Sequence, residues 1–157
     1  MKKFFGVLIF AAVALAAPNT GTVTPGAFYA KAGESATLRF EFKLATGVLF
    51  NRAGSSAITV ENPFTGKPVQ LEILRGTPYP KEPADYFETL EPLSGKIAVP
   101  VGTKPGVYPV KLSAEMFLCD GVMKVCYRDV TEGKLELRIA QTGKDAPVIL
   151  EYARPQR

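Results

Sequence analysis

The 157-residue chain contains no histidine. That absence excludes serine and cysteine nucleophiles activated by imidazole, and with them every metal site built on imidazole ligands. A phosphate-binding loop is missing as well, because Gly66-Lys67 is followed by Pro68 and not by a hydroxyl residue opening a helix. Beyond residue 17 no run is apolar enough to suggest a membrane span, and no segment keeps a 3.6-residue hydrophobic period over ten or more positions. Charge of one sign is lacking too. The chain carries 19 basic and 15 acidic residues, and without Lys2 and Lys3 the balance is 17 to 15. No basic stripe with interleaved aromatics is present, so nucleic acid is not expected as a partner. Asp85, Glu88 and Glu91 lie close together in a proline-rich stretch. They read as solvated surface and not as the two facing carboxylates that glycoside hydrolysis requires. Cysteine is scarce, at two residues, Cys119 and Cys126. Sulfur is what the inventory leaves for chemistry.

The beginning of the chain sets the expected compartment. Lys2 and Lys3 precede the apolar run Phe4 to Ala17, and Ala14-Leu15-Ala16 supplies a small-x-small cleavage site. This pattern predicts a secretory signal peptide over residues 1–16, followed by one domain over residues 17–157. Export to a periplasm or its equivalent is expected, with a soluble, monomeric mature protein. In such an oxidising space a cysteine pair can persist as a disulfide.

Alternation is clearest at Thr37 to Leu44, where Leu38, Phe40, Phe42 and Leu44 share one face and Thr37, Arg39, Glu41 and Lys43 the other. Ala27 to Ala30 is a candidate hairpin partner for it. Further strands are predicted at Ile58 to Glu61, Val69 to Ile73, Lys96 to Val101, Val107 to Cys119, Leu135 to Ile139 and Val148 to Tyr152. The 14 glycines and 13 prolines fall mostly between these runs. Seven to nine short strands at this spacing predict an all-β, immunoglobulin-like β-sandwich. Gly76 to Ser94 reads as one long irregular loop carrying Tyr79, Tyr86 and Phe87, and loops of that length in compact domains are often functional.

The cysteines sit in MFLCDGVMKVCYRD, Met116 to Asp129. Val110, Leu112, Ala114, Met116 and Leu118 alternate onto one face, so Cys119 points the other way with Phe117 and Glu115. A turn through Asp120-Gly121 then returns the chain as Val125-Cys126-Tyr127, and the sulfurs can meet across a hairpin with a six-residue loop. Bridging needs Cα atoms about 4.4 to 6.8 Å apart. Three readings stand at this point. A structural staple closing a loop of this size contributes roughly 2.5 kcal/mol by the chain-entropy relation. An exchanging dithiol is favoured by Lys124 and Arg128 nearby, which promote thiolate, and opposed by Asp120 and Asp129. A Cu(I) carrier could draw on Met116, Cys119, Met123 and Cys126, all soft ligands, although Met116 falls on the core face.

The segment GVYPVKLSAEMFLCDGVMKVCYRD, in an exported sandwich with a strand-Cys-loop-Cys-Tyr order late in the chain, resembles the amino-terminal periplasmic domain of the membrane disulfide reductase DsbD. In layout the likeness runs from about Gly26 to Ile139. It differs in its longer loop between the cysteines and in Arg128-Asp129, where prolines often follow the Cys-aromatic pair. The resemblance implies a free-standing thiol:disulfide interchange module that relays electrons between a membrane donor and thioredoxin-like periplasmic oxidoreductases, without cofactor or metal. It implies that Cys126 forms the mixed disulfide with partners and that Cys119 resolves it. It also implies a cap loop over the sulfurs, for which Tyr79, Tyr86 and Phe87 are the candidates by position.

Overall fold

A computed structural model describes residues 19–156. The predicted signal peptide, residues 1–16, lies outside them. The described residues form twelve strands: β1 (Gly21–Thr24), β2 (Ala27–Ala30), β3 (Ser35–Leu44), β4 (Val48–Asn51), β5 (Ala57–Glu61), β6 (Pro68–Glu72), β7 (Gly76–Pro78), β8 (Tyr86–Leu90), β9 (Leu93–Ala98), β10 (Gly106–Asp120), β11 (Val125–Ile139) and β12 (Val148–Tyr152). One sheet has the order β1-β12-β3-β9. The other runs β2-β11-β10-β4-β8-β7, with β5 also pairing with β10, and β6 with β5. Facing one another, the two sheets make the all-β sandwich that the alternation predicts.

Each sheet buries one face. In β3, Ala36, Leu38 and Phe40 are buried while Thr37 and Arg39 are exposed. In β10, Val110, Leu112, Ala114, Met116 and Leu118 all point inward. Against them pack Phe28, Ile58, Ile97, Leu135, Leu137, Ile139 and Leu150. Period-2 patterning therefore decides both which strands form and which way each one faces.

Several expectations change. The strands number twelve among the described residues, and β10 and β11, at 15 residues each, are not short. They pair antiparallel without a break from Gly106↔Ile139 to Asp120↔Val125. Ala27 to Ala30 does not form a hairpin with β3: it crosses to the other sheet and runs parallel to β11. Phe28 and Ala30 can then face β3 across the core, which an in-sheet hairpin would prevent. Gly76 to Ser94 is not an irregular loop. It contains the antiparallel pair β7 and β8 and the start of β9. The prolines hid this, but Pro78 ends the outermost strand of its sheet, where a missing N–H breaks no ladder. Pro109 is tolerated for the same reason, since Gly106 to Lys111 is paired on one side only, with β11.

β10 has two partners laid end to end on its other edge. β5 pairs with Leu112 to Glu115, and β4 pairs with Leu118 to Asp120. In the gap between them the Phe117 N–H would lack an acceptor, and Ser56 Oγ takes it at 2.8 Å. The loop joining β4 and β5 presses so closely on this point that any side chain at Gly54 would overlap the Phe117 ring. At the same level of the hairpin, on β11, Asp129 opposite Met116 is fully buried and accepts from the Thr20 and Gly21 amides and from the hydroxyls of Thr20 and Thr131. These bonds hold β1 onto the sandwich.

Met116 is 0 % exposed, so its truncation leaves a cavity in the core. Met116→Ala should lower stability by roughly 2–5 kcal/mol in denaturant unfolding while leaving the reactivity of the cysteines unchanged.

Candidate functional site: a disulfide at a hairpin tip

Cys119 and Cys126 are directly opposed in the β10–β11 ladder and joined as a disulfide, with Cα atoms 3.9 Å apart. That is closer than the spacing expected from the sequence, and on the short side even for the close pairs of an antiparallel ladder. The turn is also tighter than expected. Asp120 still pairs with Val125, which leaves Gly121 to Lys124 as the loop.

Asp120 builds this turn. Its Oδ1 accepts the Val122 N–H at 2.8 Å and the Met123 N–H at 2.9 Å, and its backbone carbonyl accepts the Lys124 N–H at 2.8 Å. Lys124 closes the loop in the left-handed region at φ 58°, which is uncommon outside glycine. From the segment after β12, Arg154 reaches Asp120 with Nε 2.9 Å from Oδ2 and Nη2 3.2 Å from Oδ1. The carboxylate is 0 % exposed, yet it stays ionised. The Arg154 hydrogen bonds, followed by the turn amides, hold its pKa down to about 2 against the opposing effect of burial.

The two sulfurs have different surroundings. Cys119 is 5 % exposed and lies in the middle of the sheet, between Leu49 of β4 and Cys126 of β11. Cys126 is exposed, on a stretch of β11 that pairs only with β10. Val122, in the turn, and Val125, which precedes Cys126 on β11, are 68 % and 52 % exposed at the same hairpin tip. The nearby charges also differ from the simple sequence count. Arg128 is held by Glu115 at 2.6 Å, and its hydrogen bond keeps the Glu115 carboxyl below the ordinary range. Lys124 lines the cavity beside the disulfide together with Glu82.

That cavity, about 200 Å³, is bounded by both cysteines, Leu49, Tyr79, Glu82, Tyr86, Asp120, Gly121 and Lys124. It is smaller than the roughly 300–1,000 Å³ of pockets for drug-sized ligands. Its roof is the turn between β7 and β8. The Tyr79 N–H donates to the Tyr86 carbonyl at 2.9 Å, and the Asp85 and Tyr86 amides both donate to the Glu82 carbonyl. Arg52 ties this turn to β4: its N–H donates to the Asp85 carbonyl, and Nη1 donates to those of Pro83 and Ala84 at 3.0 and 3.1 Å.

The structure thus separates the three aromatics singled out in the sequence. Tyr79 and Tyr86 line the cavity with the cysteines. Phe87 points the other way, buried in the core, stacked on Phe50 and covered by the Arg52 guanidinium at 4.6 Å. The copper set is not brought together either, since Met116 faces the core on the opposite side of β10 from Cys119. No group of three or more cysteine or carboxylate side chains is placed to hold a metal among the described residues, and no helix among them is long and apolar enough to cross a membrane. Leu49, Asn51, Arg52, Glu82 and Arg154 join the site without having been singled out from the sequence.

Fold and site together define an all-β sandwich with a disulfide at the tip of its longest hairpin, half covered by a tyrosine-bearing turn. No protein-family model matches the chain, and no curated protein matches it at a significant level.

Two outcomes follow from this geometry. The Asp120 carboxylate contributes stability in full above its ordinary pKa of 3.8, and that contribution is lost as pH falls toward about 2, where the folded form also takes up its proton. Asp120→Asn should therefore flatten the fall of Tm across that interval relative to wild type. Tyr79→Ala and Tyr86→Ala each open the roof, so reduction of the disulfide by glutathione should speed up; an unchanged rate in both would show that the turn does not cover the bond.

Proposed function

We propose that this protein is an exported thiol:disulfide interchange module, working in a periplasm-like space, in which the Cys119–Cys126 bond is reduced and re-formed as electrons pass from a membrane or thioredoxin-like donor to other oxidoreductases. The observation that carries this reading is the asymmetry of the pair. One sulfur is exposed at a hairpin tip, and the other is buried beneath the tyrosine roof. A bond serving only as a staple has little to do here, because β10 and β11 are already paired over 15 residues and the loop it closes is short. Its entropic contribution is roughly 2.5 kcal/mol.

The likeness of the GVYPVKLSAEMFLCDGVMKVCYRD segment to the DsbD amino-terminal domain supports the same reading. Cys126 is then the sulfur that a partner thiolate attacks, and Cys119 the one that leaves and later resolves the mixed disulfide. The exposed Val122 and Val125 add apolar surface at the same hairpin tip, which a docking thioredoxin-like protein can cover. The roof guards the bond against stray thiols, so access governs its reactivity. No cofactor enters such an exchange.

Trapping tests the assignment. Cys119→Ser should accumulate a mixed disulfide with a thioredoxin-like dithiol protein, and Cys126→Ser should not; the reverse pattern would exchange the roles. In wild type the couple should titrate above about −300 mV, whereas an inert structural bond lies below that value and resists the glutathione pool.

A further inference from the structure

Exchange needs Cys119 as an anion, and its surroundings oppose this. When a thiolate attacks Sγ of Cys126, a new S–S bond forms there, the Cys119–Cys126 bond breaks, and the electron pair of that bond goes to Sγ of Cys119. Burial of Cys119 disfavours the charge, and the ionised Asp120 is the next residue in the chain. Glu82 and Lys124, of opposite sign, line the same cavity with the phenols of Tyr79 and Tyr86. Within hydrogen-bond reach of this sulfur, one side-chain donor stands out among the described residues. Asn51 Nδ2 lies 3.5 Å from Sγ of Cys119.

The amide is held in that orientation. Asn51 Oδ1 accepts the Ala53 N–H at 2.9 Å, which uses its acceptor end and leaves the NH₂ group facing the sulfur. The backbone is fixed as well. Asn51 closes β4 opposite Tyr86, two residues after Leu49, and Leu49 is the register partner of Cys119. Strand alternation puts Leu49 and Asn51 on the same outer face as the sulfur. The donor is in place before any reaction begins.

We propose that Asn51 is a catalytic residue of the exchange: it donates a hydrogen bond to Sγ of Cys119 as that atom takes up negative charge, making Cys119 the better leaving group. The proposal rests on the interchange reading above. Hydrogen bonds to sulfur strengthen when the acceptor becomes an anion, so this bond is worth more as the S–S bond breaks than before. Exchange is faster when the departing thiol has the lower pKa. Overall, an incoming dithiol gives up two electrons and two protons. Its second thiolate attacks the mixed disulfide and expels Cys126, it becomes a disulfide itself, and the Cys119–Cys126 bond becomes a dithiol. In the opposite direction the same donor holds Cys119 as the thiolate that attacks a mixed disulfide on Cys126.

The test uses the mature protein with dithiothreitol as the probe. Asn51→Ser keeps an oxygen for the Ala53 amide and withdraws the donor from the sulfur, while Asn51→Asp keeps the shape and replaces NH₂ by an acceptor. Reduction should slow by about tenfold in the serine variant and further in the aspartate variant. In a Cys126→Ser background, the ultraviolet titration of the Cys119 thiolate should move upward by about one pH unit when Asn51→Ser is added. Unchanged rate and titration in either variant that folds overturn the proposal. So does a slower rate with an unmoved titration, which would mean that Asn51 acts only by holding Arg52 and the roof. If the dithiothreitol and titration results hold while no thioredoxin-like protein exchanges with wild type, the relay reading fails and the role of Asn51 at Cys119 stands.

Discussion

The unbroken register of β10 with β11 is the constraint on which the other features rest. Fifteen consecutive pairs leave no freedom of phase, because a slip by one residue would turn Val110, Leu112, Ala114, Met116 and Leu118 out to water and draw Lys111 and Glu115 inward. The buried face therefore fixes the outer face as well. Cys119 and Cys126 oppose each other because the alternate residues before Cys119 on β10, and their partners after Cys126 on β11, are committed to the core. The sandwich supplies a rigid frame, and the sulfur pair inherits its precision from hydrophobic burial more than from any local bond.

Around that frame the site is assembled from short, weakly patterned pieces. β4 contributes Leu49 and Asn51 beside Cys119, and Arg52, the next residue, fastens the β7–β8 turn through backbone carbonyls. Phe87 roots that turn in the core while Tyr79 and Tyr86 stand over the bond. The charges are largely answered locally: Asp120 by Arg154 and Glu115 by Arg128. What stays open at the surface is Cys126, with Val122 and Val125 exposed at the same tip.

Much of the fold was legible in the sequence because period-2 alternation reports directly on a half-buried strand. β3, β5, β10 and β12 all show it. β4 did not, since Val48, Leu49 and Phe50 are buried in succession and look the same as any short apolar run. The β7–β8 pair was masked by proline, whose usual meaning is a break and which here falls at a sheet edge. Within the site the cysteine pair and two of the three aromatics could be singled out, one by residue type and the others by place. Phe87 follows Tyr86 directly, and strand alternation sends neighbours to opposite faces, so grouping the two was an error of phase. Asn51 and Arg154 carried no signal because their partners lie 68 and 34 residues away. Such contacts are products of tertiary structure and not of local pattern.

The clasp between Arg154 and Asp120 has a mechanical meaning. β12 belongs to the sheet that does not contain the cysteines, and Arg154 follows it by two residues. Left alone, the last turn of the long hairpin would be a cantilever, supported at its root and loose at its free end. Arg154 props that end from the other layer. A load applied at the tip, where Val122 protrudes, is shared by both layers and does not act to peel one strand away.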